Sequence, residues 1–391
     1  MRPHMVIVGA GIVGLSTAYS LLKRGCQVTV LEAGPIPSPI ASSSDHHRLI
    51  RRVYGEEAGY CSRIGEAFDT WRTLWADLPG PVERYYSDTG ILALSTEAGD
   101  YTDRSRDVLT RLGVAFEVIA NGELSNRFPF LNPDGVAYAM VSEGGALWAN
   151  AILVDLAAWL RAHGADVREH TPVASVDHKN ATAHLQSGET VAGDRVVIAA
   201  GVRARDLAGE AANALVPHRS IVLYAEPPAD LASAWDGAPC WTDLGGDSDL
   251  WGMAPLKGIP AKLANGALGR RDPTDHDRTI APEEIEAILA SYAGRFVGIE
   301  RYRVAWGVAN YWTYAPESRF HLAEVHRSLL VSACSGHGFK FGPLTGEDVA
   351  KALTGAATVA ATVTAMAGQL PLASPTLQRG TSAGGVEGPS P

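Results

Sequence analysis

The hydrophobic pattern at the start of the chain predicts a strand, a helix and a second strand. Residues 5–8 form an apolar run of strand length, and residues 27–31 form another. Between these runs, apolar side chains recur at the spacing of one helix face, at Leu15, Ala18, Tyr19, Leu21 and Leu22. This alternation predicts a βαβ unit at the beginning of the chain.

Three glycines lie between the first strand and the helix, in the spacing of a dinucleotide-binding fingerprint. In such a turn Gly9 allows the tight bend, Gly11 lets a pyrophosphate approach the backbone, and Gly14 lets the helix pack closely on the strand. The second strand ends at Glu32, close to the offset of about 20 residues at which an acid accepts hydrogen bonds from ribose hydroxyls. An acid there also repels a 2′-phosphate, so we expect FAD or NAD rather than NADP.

Further along the chain, elements of the same nucleotide-binding kind recur. Helical spacing extends over residues 60–78 and 144–163. Residues 194–201 form a buried strand that ends in small side chains, and residues 328–332 form a strand followed by a glycine-rich loop. The segments between these elements are β-rich and irregular, and a second GxGxxG motif is lacking. We therefore expect one tightly held dinucleotide in a discontinuous domain that carries an inserted substrate domain.

Charge and composition exclude several classes of protein. Lys and Arg total 33 against 43 Asp and Glu, and the formal net charge of -10 has the wrong sign for binding nucleic acid or an anionic membrane. The four cysteines lack the spacing of a disulfide framework, so we expect a reducing, cytoplasmic location. The adjacent His46 and His47 have no partner at ligand spacing, so we expect no metal site.

Residues 373–391 are rich in Ser, Gly and Pro, which predicts a disordered tail.

Two motifs carry a family resemblance. The sequence S-G-H-G-F-K-F occupies residues 335–341, and R-L-I-R occupies residues 48–51 ahead of Y-G-E at 54–56. Over nearly its full length, to about Gly355, the chain resembles the D-amino acid oxidase superfamily of FAD enzymes. Within it, the chain is most similar to the monomeric sarcosine oxidase and N-methyltryptophan oxidase group. The resemblance implies FAD, a small-molecule amine or amino acid substrate that bears a carboxylate, and oxidation of the carbon–nitrogen bond, with molecular oxygen reduced to hydrogen peroxide.

The resemblance also implies the fold class, which is α/β with an α+β insert: a Rossmann-like FAD-binding domain with a second, mostly antiparallel β-sheet substrate domain. We expect the discontinuous FAD-binding domain to comprise residues 1–85, 144–218 and 320–372. The substrate domain is expected to comprise residues 86–143 and 219–319. A monomer or a simple homo-oligomer is expected.

Matched positions imply roles for four cations. Arg51 and Lys340 would clamp the substrate carboxylate, because a planar guanidinium fork and a point charge suit that task together; otherwise they are surface cations. Lys262 would lie near the flavin and assist the reduction of oxygen, since a cation stabilises a developing anion; otherwise it is a loop lysine, and Lys257 is its rival. Arg48 would lie under the flavin ring, where positive charge favours the anionic reduced form; otherwise it is a surface arginine at the start of a helix.

The resemblance implies cofactor contacts at the glycine turn, at the following acid and in the later loops. They are Gly9, Gly11, Ile12, Val13, Gly14, Glu32, Ala33, Ser43, Arg48, Val173, Ala200, Gly201, Gly336, His337, Gly338, Phe339 and Lys340. We expect His337 to be a loop or flavin-contact residue rather than a general base, because a substrate amine bound in its neutral form can pass hydride without one.

Several positions depart from the family pattern. Asn310 stands where the family has its attachment cysteine, so we predict FAD bound without a covalent link. Trp251 and Trp312 replace pocket tyrosines, and Gly266 replaces a pocket histidine. Unless the two tryptophans are core residues, the pocket is reshaped, and a secondary, cyclic or bulky amino acid is expected rather than sarcosine.

Two other functions stay open at this point. One is an FAD-dependent amino acid dehydrogenase that passes electrons to an acceptor other than oxygen. The other is a flavoprotein subunit whose partner supplies the chemistry, although a carboxylate clamp and an oxygen-site lysine within one chain argue against it.

Overall fold

The computed structural model describes residues 2–272, 274 and 276–368, and the tail predicted at 373–391 lies outside them. The strands are β1 His4–Val8, β2 Gln27–Leu31, β3 Arg48–Arg51, β4 Tyr86–Asp88, β5 Ile91–Ser95, β6 Phe116–Ala120, β7 Tyr138–Ser142, β8 Gly144–Leu147, β9 Asp166–Arg168, β10 Val173–Asp177, β11 Thr182–Leu185, β12 Thr190–Ala192, β13 Arg195–Ile198, β14 Val216–Glu226, β15 Cys240–Leu244, β16 Leu250–Met253, β17 Ala261–Asn265, β18 Arg270–Arg271, β19 Arg303–Tyr314, β20 His321–Val325 and β21 Ser328–Ser332. The α-helices are α1 Ile12–Lys23, α2 Ala58–Asp77, α3 Tyr101–Arg111, α4 Asn121–Arg127, α5 Ala149–Ala162, α6 Ala204–Ala208, α7 Pro282–Ser291, α8 Gly342–Leu353 and α9 Val359–Met366. Within the described ranges, no helix is long and apolar enough to cross a membrane.

The first sheet contains the predicted βαβ unit. Its strand order is β20-β21-β13-β1-β2-β9, and its neighbouring strands are parallel except for β20 and β21. Residues 5–8 of β1 and 196–198 of β13 are buried, as expected for strands of a parallel sheet that is covered on both faces. The helix α1 connects β1 to β2 and packs against α5 and α8.

The glycines of the first turn allow close packing at the carboxyl edge of this sheet. A Cβ atom at Gly14 would overlap the carbonyl oxygen of Gly9, and a Cβ atom at Gly9 would lie 2.6 Å from the carbonyl oxygen of Ala199. Gly9 also has a φ of 103°, which other residues rarely adopt. The turn, α1 and the end of β13 therefore meet at the edge where parallel sheets bind their ligands.

A second sheet has the strand order β18-β14-β17-β16-β15-β5-β7-β6, with β19 paired along β14. Its neighbouring strands are antiparallel except for β15 and β5. Its buried apolar residues form a cluster separate from the main cluster of the first sheet. This mixed architecture confirms the predicted fold class, whereas the domain boundaries stay a prediction.

The interpretation of residues 144–163 as one helix is wrong at its beginning. Gly144–Leu147 is a strand that pairs with β3 and β4, and the helix starts at Ala149. The pairing brings Gly145 so close to the carbonyl oxygen of Ser87 that a Cβ atom would overlap it. The glycines therefore serve a close contact between strands, which the helical spacing of the later apolar residues conceals.

Gly346 on α8 provides a test of how closely α8 packs on α1. A Cβ atom there would overlap the backbone of Ser16, so Gly346→Ala should lower the free energy of unfolding by about 2 kcal/mol through overpacking. Gly122→Ala on α4 is the matched control, because no atom lies within 4 Å of a Cβ at that position and alanine favours a helix. Urea unfolding measures the difference, and equal midpoints for the two variants would contradict the packing.

Candidate active site

A cavity of about 1090 Å³ lies between the carboxyl edge of the parallel sheet and the antiparallel sheet. Val8 at the end of β1 lines one side, and Trp251, Lys262 and Trp312 of the second sheet line another. Every residue predicted for the site lines this cavity, with the exception of Gly14, which packs against the turn instead. The fold therefore brings together residues that the sequence spreads over some three hundred positions.

Glu32 and Ser43 shape the part of the cavity beside the glycine turn. The Glu32 carboxylate accepts hydrogen bonds from the backbone N–H of Ala10 (2.8 Å) and of Gly34 (3.1 Å). The Ser43 hydroxyl accepts one from the N–H of Ile12 (3.1 Å), in the first turn of α1. These bonds fix the acid beside the start of α1, whose positive end meets the cavity and suits a phosphate.

Asp45 is the centre of a charged network behind the cavity wall. Its buried carboxylate accepts hydrogen bonds from Lys262 Nζ (2.5 Å), from Arg48 Nη1 and from the hydroxyl of Tyr224. Lys262 also donates to the backbone carbonyl of His47 (3.1 Å), and its relative exposure is 0%. The network joins the segment around β3 to β14 and β17 of the second sheet.

Burial and the neighbouring charges set the protonation of this network. Burial alone would raise the pKa of Asp45, but Lys262 and Arg48 hold it well below its ordinary value. Burial lowers the pKa of Lys262 to about 8, although Asp45 opposes the shift. Two cations share one carboxylate, so the excess positive charge at this wall can stabilise an anion that develops in the cavity.

The two lysines that the sequence left as rivals differ in position. Lys262 lines the cavity, whereas the residues that line it do not include Lys257. Lys257 Nζ donates to the backbone carbonyl of Glu83 and lies 4.7 Å from the ring centroid of Trp148. Of the two, Lys262 therefore has the position that chemistry in the cavity requires.

Arg51 and Lys340 converge on the ring of Tyr54. The Arg51 guanidinium lies 4.3 Å and the Lys340 ammonium 5.4 Å from the ring centroid. Arg51 Nη1 donates to the hydroxyl of Tyr101 (2.9 Å), and in the described part of the chain neither cation forms a hydrogen-bonded ion pair with a carboxylate. Burial, with Arg51 nearby, lowers the pKa of Lys340 well below its ordinary value. Asp249 acts on Arg51 only through its charge, so the two neighbouring cations have no hydrogen-bonded carboxylate and can bind an anion. Their place in the cavity lining removes the alternative that they are surface cations.

His337 lies beside this pair and is held neutral. Its Nδ1 atom lies 3.3 Å from the Tyr54 hydroxyl, and its Nε2 atom lies 3.2 Å from the backbone carbonyl oxygen of Ser318. Burial, followed by the charge of Lys340, lowers the pKa of His337 to about 3. At neutral pH a neutral imidazole with both nitrogens engaged is poorly suited to act as a general base.

Trp312 and Trp251 face the cavity rather than a closed core. Trp312 stacks on His218 with ring centroids 5.5 Å apart, and its Nε1 donor has no acceptor among the described residues. The ring of Trp251 lies 5.6 Å from Lys262 Nζ. Gly266 lines the same space. All three positions at which the pocket departs from the family pattern are therefore accessible to a ligand.

Sequence reasoning missed Tyr101 and Asp249 on the cavity wall and Asp45 behind it. Asp45 belongs to a polar run that the sequence presents as a loop, and its role depends on Lys262 and Tyr224, which arrive from the second sheet. Tyr101 and Asp249 belong to no motif. The one local signal for Asp45 was its position, three residues before the matched Arg48.

Comparison with protein families finds one that covers most of the chain. A family model described as FAD dependent oxidoreductase (DAO) matches residues 4–352. The chain is 23% identical over 366 residues to monomeric sarcosine oxidase of Bacillus sp. (strain NS-129), with 90% of this chain and 92% of the relative covered. It is 24% identical over 361 residues to peroxisomal sarcosine oxidase of Homo sapiens, with 88% and 90% covered. It is 21% identical over 359 residues to N-methyl-L-tryptophan oxidase of Yersinia pestis (strain Pestoides F), with 89% and 94% covered.

Solved structures share the fold at similar identity. L-proline dehydrogenase from P. horikoshii matches with a TM-score of 0.77 and 20% identity, covering 91% of this chain and 94% of that chain. Glycine oxidase from Geobacillus kaustophilus matches with a TM-score of 0.75 and 20% identity, covering 90% and 95%. At these identities the likeness shows the fold, whereas the function has to be argued from the site.

Proposed function

The chain belongs to the family of FAD dependent oxidoreductases (DAO), and on this premise we propose that it oxidises an amine or amino acid that bears a carboxylate. Family membership confirms the expected cofactor and class, an FAD-dependent oxidoreductase that acts on CH–NH groups. The observation that carries the proposal is the cation pair, Arg51 and Lys340, that converges on Tyr54 without a hydrogen-bonded carboxylate among the described residues. A substrate carboxylate would supply that partner.

The cavity fits FAD together with a small substrate. Its volume of about 1090 Å³ lies at the upper limit of ordinary ligand pockets, which are about 300–1,000 Å³. A Cβ atom at Gly11 would lie 3.1 Å from Ser43 Oγ, so the turn presents bare backbone to a phosphate, and Trp312 Nε1 offers a free donor within the described residues. We assign the FAD contacts to the residues that the family pattern implies, with Gly14 acting through the packing of α1. FAD held by these residues would supply the acceptor for hydride from the substrate α carbon, and oxygen would serve as the final acceptor, giving hydrogen peroxide.

The protein's own residues bind and orient the substrate. The Arg51 guanidinium and the Lys340 ammonium hold the carboxylate oxygens, which fixes the position of the α carbon. Their positive charge also favours the neutral form of the substrate amine, because a nearby cation lowers the pKa of an amine. Since neutral His337 is not needed as a base, the α carbon can lose hydride directly, and the imine product is released to hydrolyse or rearrange.

The pocket walls favour a secondary, cyclic or bulky amino acid. Trp251 and Trp312 provide flat apolar faces, and glycine at 266 leaves room where the family pattern has a histidine. A ring or a long side chain would fill this space better than the methyl group of sarcosine does.

A dehydrogenase is the second candidate, and one observation favours it. Lys262 Nζ is already engaged by Asp45 and by the carbonyl of His47, and the side chain is fully buried. A lysine held in this way can stabilise the structure without serving oxygen. Electrons would then pass to an acceptor other than oxygen.

Arg51→Met tests the carboxylate clamp. It should raise KM about 100-fold, because about 3 kcal/mol of charge-assisted hydrogen bonding is lost, while the FAD content stays near that of the wild type. Arg52→Met is the matched control, since Arg52 pairs with Glu143 at 2.6 Å and is absent from the residues that line the cavity. Steady-state kinetics and flavin absorbance measure both effects. Equal losses of FAD and of substrate affinity in Arg51→Met would contradict the clamp.

Lys262→Met separates the oxidase from the dehydrogenase. In an oxidase it should slow reoxidation of the reduced enzyme by air about 100-fold, because a preorganised positive charge is lost, and should change anaerobic reduction by substrate much less. Lys257→Met, outside the cavity, should leave both rates unchanged. Stopped-flow absorbance measures the two half-reactions. Slow reoxidation of the wild type, with no further effect of Lys262→Met, would favour the dehydrogenase.

Acid precipitation tests the proposal that FAD is bound without a covalent link. Asn310 lines the cavity and has no thiol, so the flavin should appear in the supernatant. Cys334 also lines the cavity, and Cys334→Ser is therefore the control variant. Yellow colour in the wild-type pellet would contradict the proposal, and its loss in Cys334→Ser would locate the link.

A further inference from the structure

One acidic side chain in the substrate part of the cavity has no role in the proposed reaction. Asp249 lines the cavity together with Arg51, Tyr101 and Gly266. Within the described residues its carboxylate makes no hydrogen bond, and the charges that act on it are those of Arg51 and of Asp243. A carboxylate that lines a ligand cavity and forms no hydrogen bond is available to bind a group of the ligand.

The position of Asp249 is built by the loop that precedes β16. Asp243 Oδ1 accepts hydrogen bonds from the N–H of Gly245 (3.0 Å) and from the N–H and hydroxyl of Ser248 (3.1 and 2.8 Å). Asp247 ties the loop to the start of α3 by accepting from the N–H of Tyr101 (2.5 Å). Asp249 itself has a φ of 50°, a conformation that non-glycine residues rarely adopt and that the surrounding hydrogen bonds maintain.

Gly266 provides the space that the carboxylate occupies. A Cβ atom at Gly266 would overlap the Asp249 carboxylate, and the N–H of Gly266 donates to the backbone carbonyl of Asp249 (3.0 Å). Any larger residue at 266, including the histidine of the family pattern, would displace the acid. The glycine and the aspartate therefore form one unit in which the acid replaces the histidine as the polar group of this wall.

The acid lies beside Gly266, at the end of β17 away from Lys262. Lys262 and Gly266 are four residues apart along β17 and its extension, which corresponds to about 13 Å at the rise of a strand. Under the proposed function the reacting carbon lies at the flavin, near Lys262. Asp249 therefore meets a distal part of the substrate rather than its α-amine, with the ring of Trp251 lining the same space and able to accept a cation on its face.

The electrostatics of the cavity favour a cation at this point. Loss of water around Asp249 raises the pKa of its carboxyl group, and the positive charge of Arg51 opposes the shift. A ligand cation beside the carboxylate would compensate for that loss of hydration. The cavity wall then presents the positive charges of Arg51 and Lys340 together with the negative charge of Asp249, which acts on Arg51.

We propose that Asp249 binds a second, cationic group at the distal end of the substrate, so that the enzyme prefers amino acids with a basic side chain. The substrate carboxylate binds Arg51 and Lys340, the α carbon lies at the flavin, and the side-chain ammonium or guanidinium pairs with Asp249. This inference rests on the proposed function, because it names the substrate class of the same site.

The test compares amino acids that differ only in the distal charge. Three pairs of amino acids are titrated anaerobically into the FAD-containing enzyme, and flavin bleaching is recorded. The pairs are lysine and norleucine, ornithine and norvaline, and arginine and citrulline, each as both enantiomers and as N-methyl derivatives. The basic member of a pair should half-saturate the wild type at a concentration at least tenfold lower than its neutral partner.

Asp249→Asn should abolish this preference by weakening the binding of the basic member alone, and Gly266→Ala, which displaces the acid, should act in the same way. Asp247→Asn, in the same loop but outside the cavity lining, should retain the preference.

Each other outcome overturns a different statement. Bleaching by neutral and basic members alike overturns the inference and leaves the proposed function intact. Equal weakening of both members by Asp249→Asn shows that the acid serves the α-amine or the loop, and also overturns the inference. Absence of bleaching by every compound in the panel overturns the inference and the proposed function together.

Discussion

The geometry of the cavity depends on the buried carboxylate of Asp45, because it accepts hydrogen bonds from groups on both sides of the molecule. Arg48 belongs to β3, beside the dinucleotide part of the cavity, whereas Lys262 and Tyr224 belong to the second sheet. Removal of one partner from a buried charged pair typically costs about 3–5 kcal/mol. The network therefore ties the segment around β3 to the second sheet and keeps Lys262 at the cavity wall.

The cavity differs in charge balance from the chain as a whole. The formal net charge of the chain is -10, whereas the cavity lining holds six Lys and Arg residues (Arg48, Arg51, Arg203, Lys262, Arg278 and Lys340) against five Asp and Glu residues (Glu32, Glu57, Asp206, Asp249 and Glu317). Because this balance is less negative than that of the chain as a whole, the field favours anionic groups in the cavity over the outer surface. The same field acts on the phosphates of the cofactor, on the carboxylate of a substrate and on charge that develops during the reaction.

The elements with local signals could be predicted from the sequence. The βαβ unit follows from apolar runs, helical spacing and the glycine turn, all within the first 32 residues, and family motifs brought Arg51 and Lys340 to attention. The start of α5 was misjudged because Gly144 and Gly145 serve a contact with strands that lie far away in the sequence. Asp45 and Asp249 were missed for a related reason. A carboxylate in a loop has no recognisable role until its tertiary neighbours are known. Packing brings Lys262 to Asp45, and it places Asp249 opposite Gly266, which has no side chain.

The close contact of α8 with α1 has a consequence for how the chain is made. The first βαβ unit is synthesised before the second sheet, but β21 and α8, which pair with its sheet and cover its helix, are synthesised after that sheet. Until then the apolar edge at β13 and the small residues of α1 lack their partners, and contacts of such large sequence separation form slowly. The dinucleotide-binding part of the protein is therefore begun first and finished last. Its nascent form must persist with an open edge while the whole inserted sheet is translated, a stage at which such chains are most prone to aggregate.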